Sequence, residues 1–248
     1  MIGTELLDDP RADPAAVRKE LADIARLNAL FGGTRAVIEA LEPIFKAGTG
    51  DGGRGKGATW TLLDVGTGLG DIPRAAAAAA RRHGVTLRLV GVELNRAAAA
   101  AARDGAGGLA LVLADGGALP LRPRSVDVVI ASQVLHHLPR AVAVRWIATF
   151  GALARRAVIL ADLRRSRVAM AAVWLVSYPL GFSGVTRHDA IVSLRRGYTR
   201  GELNEMLRAA GAPPVARYRP GFRVVAAWET SDIRHQTSDL RSQRSPDV

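Results

Sequence analysis

The stretch from Leu62 to Pro73, Leu-Leu-Asp-Val-Gly-Thr-Gly-Leu-Gly-Asp-Ile-Pro, leaves this chain few folds to choose from. Thr61 to Val65 is a short, apolar, β-branched run that reads as a buried strand. Gly66, Gly68 and Gly70 then turn the backbone tightly. Asp71 is placed to cap the following helix and Pro73 to sit in its first turn. A strand, a glycine turn and a helix N-terminus together bring main-chain N–H groups close to a ligand. Dinucleotides, phosphates and other ligands all use such turns, so the turn alone names none of them. Asp64, just before the first glycine, and Glu93, closing the next apolar strand (Leu87 to Val92), narrow the choice. A dinucleotide fingerprint passes from apolar strand to glycine without that first acid.

The remaining pattern places this unit in an α/β domain. Helices are expected at Arg74 to His83, Arg96 to Arg103 and Ala141 to Leu153, and strands at Leu109 to Ala114, Val126 to Ser132 and Arg156 to Asp162. Nearly continuous apolar strands alternating with helices predict a parallel sheet covered on both faces, with ligands at the strands' carboxyl ends. Thr199 with Glu202 forms a capping box for a helix running to Ala210. Pro214 to Arg219 and Phe222 to Trp228, joined at Pro220-Gly221, predict a hairpin that runs one strand antiparallel to the rest. Upstream, Val17 to Leu30 and Thr34 to Phe45 carry helical periodicity, and residues 1–46 read as a helical extension that either lids a ligand or covers one end of the sheet. Arg35 is its expected site-facing residue. Residues 47–59 are Gly-rich and polar, a flexible linker, and 231–248 a frayed tail. Gly50 to Lys56 imitates a phosphate loop, but Gly57 stands where the metal-binding hydroxyl belongs and no strand precedes it.

A chain of 248 residues that is 48% hydrophobic can bury one sizeable core. With no cysteine, disulfides and cysteine-ligated metal are excluded, no metal is expected, and the acidic opening Met1 to Pro14 lacks secretory features. A cytoplasmic location is the default expectation. The net charge of +11 comes from 34 Lys+Arg, but only Lys19, Lys46 and Lys56 are lysine and the arginines are scattered. A nucleic-acid partner is therefore not expected, since its footprint is a clustered basic patch. The longest apolar run, Val168 to Leu180, is about 13 residues, too short to span a bilayer. The residues specify no oligomeric state.

Asp64, one residue, then Gly66-x-Gly68-x-Gly70 resembles the first motif of the class I S-adenosylmethionine-dependent methyltransferases. The run Ser125 to Leu138, with its Val-Leu-His-His-Leu turn, resembles the small-molecule branch that modifies quinones and sterols. The likeness is strong over Trp60 to Asp162 and by pattern only over Gly197 to Glu229. It implies a Rossmann-like, doubly wound, seven-stranded, mostly parallel sheet closed by an antiparallel C-terminal hairpin, with S-adenosyl-L-methionine as methyl donor. Carried over residue by residue, Asp64, Gly66, Thr67, Gly68 and Gly70 hold the donor's methionine end. Glu93 holds the ribose, with Leu94 beside it, and Asp115 with the Gly116 amide reads the adenine. Ser132 and Gln133 lie by the transferred methyl.

Residues 163–196 leave the fifth strand above the donor and are expected to build the acceptor pocket. Trp174, Tyr178 and Phe182 are its expected lining, implying an apolar small-molecule acceptor. The general base is expected at His188, which follows a Gly181 to Gly184 turn, with His136 or His137 as alternatives. Asp189 would cap a helix over Ala190 to Leu194. The leading function is methyl transfer to an apolar phenolic, quinone-like or polyketide hydroxyl. The competing readings are an RNA methyltransferase and a catalytically silent donor-binding scaffold. Against the RNA enzyme stand the lack of an appended RNA module and Ser132-Gln133-Val134-Leu135 where amino-methylating enzymes carry Asn/Asp-Pro-Pro-aromatic.

Overall fold

A computed structural model describes residues 5–9, 11–48, 57–104 and 108–230. The Gly50 to Lys56 stretch, most of the expected linker and the 231–248 tail lie outside the described residues.

Seven strands form one sheet: β1 (Thr59–Val65), β2 (Thr86–Glu93), β3 (Leu109–Leu113), β4 (Val126–Ser132), β5 (Ala154–Leu163), β6 (Arg217–Arg219) and β7 (Arg223–Glu229). Their order is β3-β2-β1-β4-β5-β7-β6. The first five are parallel, and β7 runs antiparallel to both β5 and β6, as the tight turn at Pro220-Gly221 requires. The order reverses between β1 and β4, and the crevice at that switch point is where an open α/β sheet receives a ligand.

Helices α1 (Pro14–Leu30), α2 (Gly33–Gly48), α3 (Asp71–Arg82), α4 (Arg96–Asp104), α5 (Arg140–Leu153), α6 (Arg167–Ser177), α7 (Gly184–Arg196) and α8 (Arg200–Ala209) complete the chain. Strand side chains alternate between two cores, as a period of two demands. Leu63, Val65, Val129 and Ala131 pack with Ile147 and Phe150 of α5 and Leu203 and Met206 of α8. Leu62, Val128 and Ile130 pack on the other face with Val37, Leu41 and Phe45 of α2 and Ile72 and Ala76 of α3. Thus α2 is a sheet-covering helix, whereas α1 packs across α4 through Val17, Leu21, Ala98 and Ala101 at the strands' carboxyl ends. Asp127 is structural, accepting the Thr61 backbone N–H at 2.8 Å and facing Arg156 Nε at 3.4 Å.

Two caps differ from expectation. The N-cap of α3 is Gly70, in the left-handed region at φ 72°, so Asp71 is the first helical residue rather than the cap. Pro73 does lie in the first turn. Helix α7 starts six residues earlier than Asp189-capping implied: Ser183 is its N-cap, and its Oγ accepts from Thr186 N at 3.0 Å. His188 and Asp189 are therefore interior helical residues. The Thr199–Glu202 capping box is present on α8. Among the described residues, no helix is long and apolar enough to cross a membrane.

Candidate active site

A cavity of about 700 Å³ opens above the carboxyl ends of β1, β2, β4 and β5. Val65, Gly66, Thr67, Gly68, Glu93, Leu94, Asp115 and Gly116 line one end. Gly66 has φ 74°, and a Cβ there would come within 2.8 Å of Val134 Cγ2, so only glycine lets the turn lie under this end. Gly70 lies outside the lining and serves as the α3 cap.

Glu93 and Asp115 line this end, and Asp64 is buried just behind it. Asp64 is buried; its Oδ2 accepts from Thr67 Oγ1 at 2.8 Å, while its Oδ1 is buried with no partner. Burial, only partly offset by the Thr67 hydrogen bond and reinforced by Asp71 and Glu93, raises the Asp64 carboxyl to about 7. Glu93 Oε2 accepts from Gly68 N at 3.2 Å, and Oε1 from the N–H groups of Leu94 and Asn95 at 2.9 and 3.1 Å. These bonds lock the carboxylate at the strand end, facing the cavity. Asp115 Oδ1 accepts from Gly117 N at 2.8 Å.

The other end is a chamber roofed by α1, α6, α7 and the segment 5–9. Leu21, Ile24, Leu27 and Phe31 come from α1, Ala169 and Val173 from α6, and Ala190 and Leu194 from α7. Ser132, Gln133, His136 and His137 form its floor. Gln133 sits at φ 56°, a turned conformation uncommon for a residue with a side chain. It bridges two groups: its Nε2 donates to Asn28 Oδ1 at 2.5 Å and its Oε1 accepts from Arg223 Nη1 at 3.3 Å. Arg223, buried and also bonded to Asn28 at 3.0 Å, has its pKa lowered to about 10, chiefly by burial.

His136 is the most constrained group in the chamber. Its Nδ1 bonds Asp162 Oδ1 at 2.6 Å, and its backbone N–H reaches Asp162 Oδ2 at 3.3 Å. Burial would raise the Asp162 carboxyl, but the charge and hydrogen bond of His136 and the Leu163 N–H outweigh it and hold it below its usual range. An ionised Asp162 only accepts, so Nδ1 carries the proton and Nε2 turns away from it, buried and without a hydrogen-bond partner. His137 Nδ1 bonds Asp8 Oδ1 at 2.8 Å. Burial opposes charge on His137, yet the Asp8 hydrogen bond and the field of Glu5, Asp8 and Asp162 raise its pKa. Asp8, conversely, is held well below the carboxylate range: burial pushes it up, and His137, the Glu5 N–H and Arg196 pull it down further.

The sequence-derived acceptor residues fare differently from the donor set. His188 is exposed on α7 and away from the cavity, because the early start of that helix turns Asp189 inward instead. Trp174, on the outer face of α6, and Tyr178, its C-cap, are 53% and 54% exposed and meet edge to face; Ala169 and Val173 form the inner face. Phe182 is buried, but beneath Arg26 rather than in the chamber. Arg35 points outward and pairs with Glu39 at 2.6 Å. Sequence reasoning missed Glu5, Asn28, Asp162, Asp189 and Arg223. Asp162 carried a signal, an acid ending an apolar strand as Glu93 does. The others meet only through tertiary contacts, such as Leu6 N to Asp189 Oδ2 at 2.7 Å and Ser193 Oγ to Glu5 Oε2 at 2.6 Å.

Residues 63–150 match the model of a family described as a methyltransferase domain. No curated protein matches the sequence. Among solved structures, the chain is similar to a SAM-dependent methyltransferase from Aquifex aeolicus, at TM-score 0.56 and 16% identity over 88% of this chain and 98% of that one. It is similar to human N-acetylserotonin methyltransferase in complex with SAM, at TM-score 0.58 and 11% identity over 87% of this chain and 56% of that one. Magnesium protoporphyrin IX methyltransferase from Synechocystis PCC 6803 with bound SAH aligns at TM-score 0.50 and 17% identity over 79% and 83% of the two chains. At these identities the structural likeness speaks for the fold. The chain thus combines the fold shared by these methyltransferases with a methyltransferase-domain match over residues 63–150.

Proposed function

We propose that this protein transfers the methyl group of S-adenosyl-L-methionine to an apolar small molecule bearing a phenolic, quinone-like or polyketide hydroxyl. The observation that carries the reading is the continuity of the cavity. One space joins the Thr67, Glu93 and Asp115 end to a roofed, largely apolar chamber with a carboxylate-oriented imidazole on its floor.

The donor supplies an electrophilic methyl on a sulfonium. The protein's residues supply the rest. The Asp64 carboxylate, buried behind Gly66 and Thr67, suits the donor's ammonium through its charge, the Glu93 carboxylate its ribose hydroxyls, and Asp115 with the Gly116 amide its adenine. The chamber excludes water and aligns the acceptor oxygen with the methyl, which is the main rate contribution such a site makes. The acceptor's proton leaves toward His136, an imidazole of the chamber lining whose Nε2 is buried beside Glu5. The roof of α1, α6 and α7 favours a small acceptor over an RNA strand, whose backbone needs an open groove.

Calorimetric titration with S-adenosylhomocysteine tests this reading: binding is expected, weakened by about 1–3 kcal/mol in Glu93→Ala, the cost of leaving hydrogen-bonding groups unpaired. Failure of wild type to bind it would overturn the proposal. Asp64 adds a pH dependence. With its carboxyl near 7, the site is protonated below that pH and ionised above it, and only the ionised form attracts an ammonium. Affinity is expected to rise as pH increases from 6 to 8, with proton release on binding. Asp64→Asn should flatten that rise.

A further inference from the structure

We propose that Glu5, His136 and His137 form a binding site for one first-row divalent cation of the zinc, cobalt or ferrous type, and that this cation holds the acceptor hydroxyl. The inference rests on the methyltransferase reading for its role, but not for its existence.

Three features point to a ligand. The donor atoms of the three residues lie within 4.8 Å of one another. His136 Nε2 is 4.0 Å from Glu5 Oε1, and His137 Nε2 is 3.8 Å from Glu5 Oε2. These separations are slightly wider than those between neighbouring ligands at bonds of about 2.0–2.2 Å, so a small inward shift closes the set. Next, both imidazoles are oriented the way metal-binding histidines are: each has Nδ1 on a carboxylate, Asp162 for His136 and Asp8 for His137, with Nε2 directed to the common centre. Finally, His136 Nε2 belongs to a side chain only 2% exposed and has no hydrogen-bond partner. A network built only to staple the 5–9 segment would not leave that atom orphaned.

The ligand set decides the cation class. Two imidazoles and one carboxylate suit zinc, cobalt or ferrous ions, whereas magnesium and calcium take oxygen ligands. Three protein ligands leave a position open toward the cavity, where His136 and His137 are part of the lining. An acceptor hydroxyl taking that position loses its proton at neutral pH, as zinc-bound water does. The O–H bond breaks, the electron pair stays on oxygen, and the proton leaves to water. His136 then acts as a ligand rather than as the proton acceptor itself.

The test uses tag-free full-length protein, stripped with chelator and titrated calorimetrically with Zn²⁺, with Co²⁺ absorption as a second readout. One equivalent of Zn²⁺ is expected to bind, and Co²⁺ to show ligand-field bands of a nitrogen-oxygen site. Glu5→Gln, His136→Ala and His137→Ala should each abolish the stoichiometric phase. Asp162→Asn and Asp8→Asn, which keep all three ligands, should weaken it roughly 10- to 100-fold. His188→Ala should bind as wild type does. Absence of a stoichiometric phase in wild type, or its survival in Glu5→Gln and His137→Ala, overturns the site. Should His136→Ala fail to fold, those two variants decide alone. S-adenosylhomocysteine is titrated into the same samples: lost donor binding with zinc retained sinks the methyltransferase reading and leaves the metal site standing, and the reverse result does the opposite.

Discussion

Replacing His136 by alanine is expected to lower kcat on the order of a hundredfold or more, while His188→Ala leaves it unchanged. The contrast follows from position. His136 is buried, fixed by Asp162 at 2.6 Å, and faces the chamber, whereas His188 is exposed on α7. Removing an imidazole that withdraws the acceptor's proton, directly or by holding a cation, leaves alignment as the remaining source of rate. Steady-state assays with labelled donor and a panel of phenols and quinones measure the effect. Donor affinity should hold in both variants, because the glycine turn lies at the other end of the cavity. A wild-type kcat in His136→Ala would remove the histidine from the chemistry.

Gly221→Ala is expected to destabilise the protein by at least about 3 kcal/mol, through overpacking and strain at a special backbone position. Gly221 has φ 74°, and an added Cβ would fall 1.6 Å from the Phe31 carbonyl oxygen, a backbone atom that no rotamer change can move. The corner between α1 and α2 would have to lift away from the β6–β7 turn. For a chain of this size that loss corresponds to a fall in Tm of roughly 6–12 °C by thermal melt. The same corner carries Phe31 and Asn28 into the chamber, where Asn28 holds Arg223 and Gln133. The variant should therefore lose acceptor turnover more than donor binding, which measurement of both on the folded fraction resolves.

How much of this was legible in the sequence depended on the range of the signal. Strand β4 was expected over Val126 to Ser132 and is found there, because a short apolar run rich in β-branched residues, broken only by Asp127, reads as a buried strand. That Asp64, Glu93 and Asp115 stand at or just past strand ends was legible because a strand end is a local feature. Helix α7 was misjudged: Asp189 is a good cap by residue type, but Ser183 with Thr186 begins the helix earlier, and that shift carried His188 outward. Trp174 and Tyr178 failed for a related reason. Helical periodicity separates two faces of α6 but does not say which one turns inward, and the small Ala169 and Val173 do. His136 and His137 were legible as candidates, but the approach of Glu5 to them was not, since it lies some 130 positions away and no spacing rule connects them.

That separation has a consequence for the order in which the two halves of the cavity come into being. The glycine-turn end closes on itself: Asp64 meets Thr67 three positions away, and Glu93 reaches Gly68 across 25. The chamber needs Leu6 to find Asp189 across 183 positions and Asn28 to find Arg223 across 195. Loop closure over such distances is slow and comes after local contacts. During synthesis, then, the glycine turn can consolidate while β7 is still unmade, and the chamber is assembled only once Arg223 has emerged. Detaching the 5–9 segment would break its hydrogen bonds to His137, Asp189, Ser193 and Arg196 and leave both sheet cores intact, so hydrogen exchange there is expected to report local opening below the global stability.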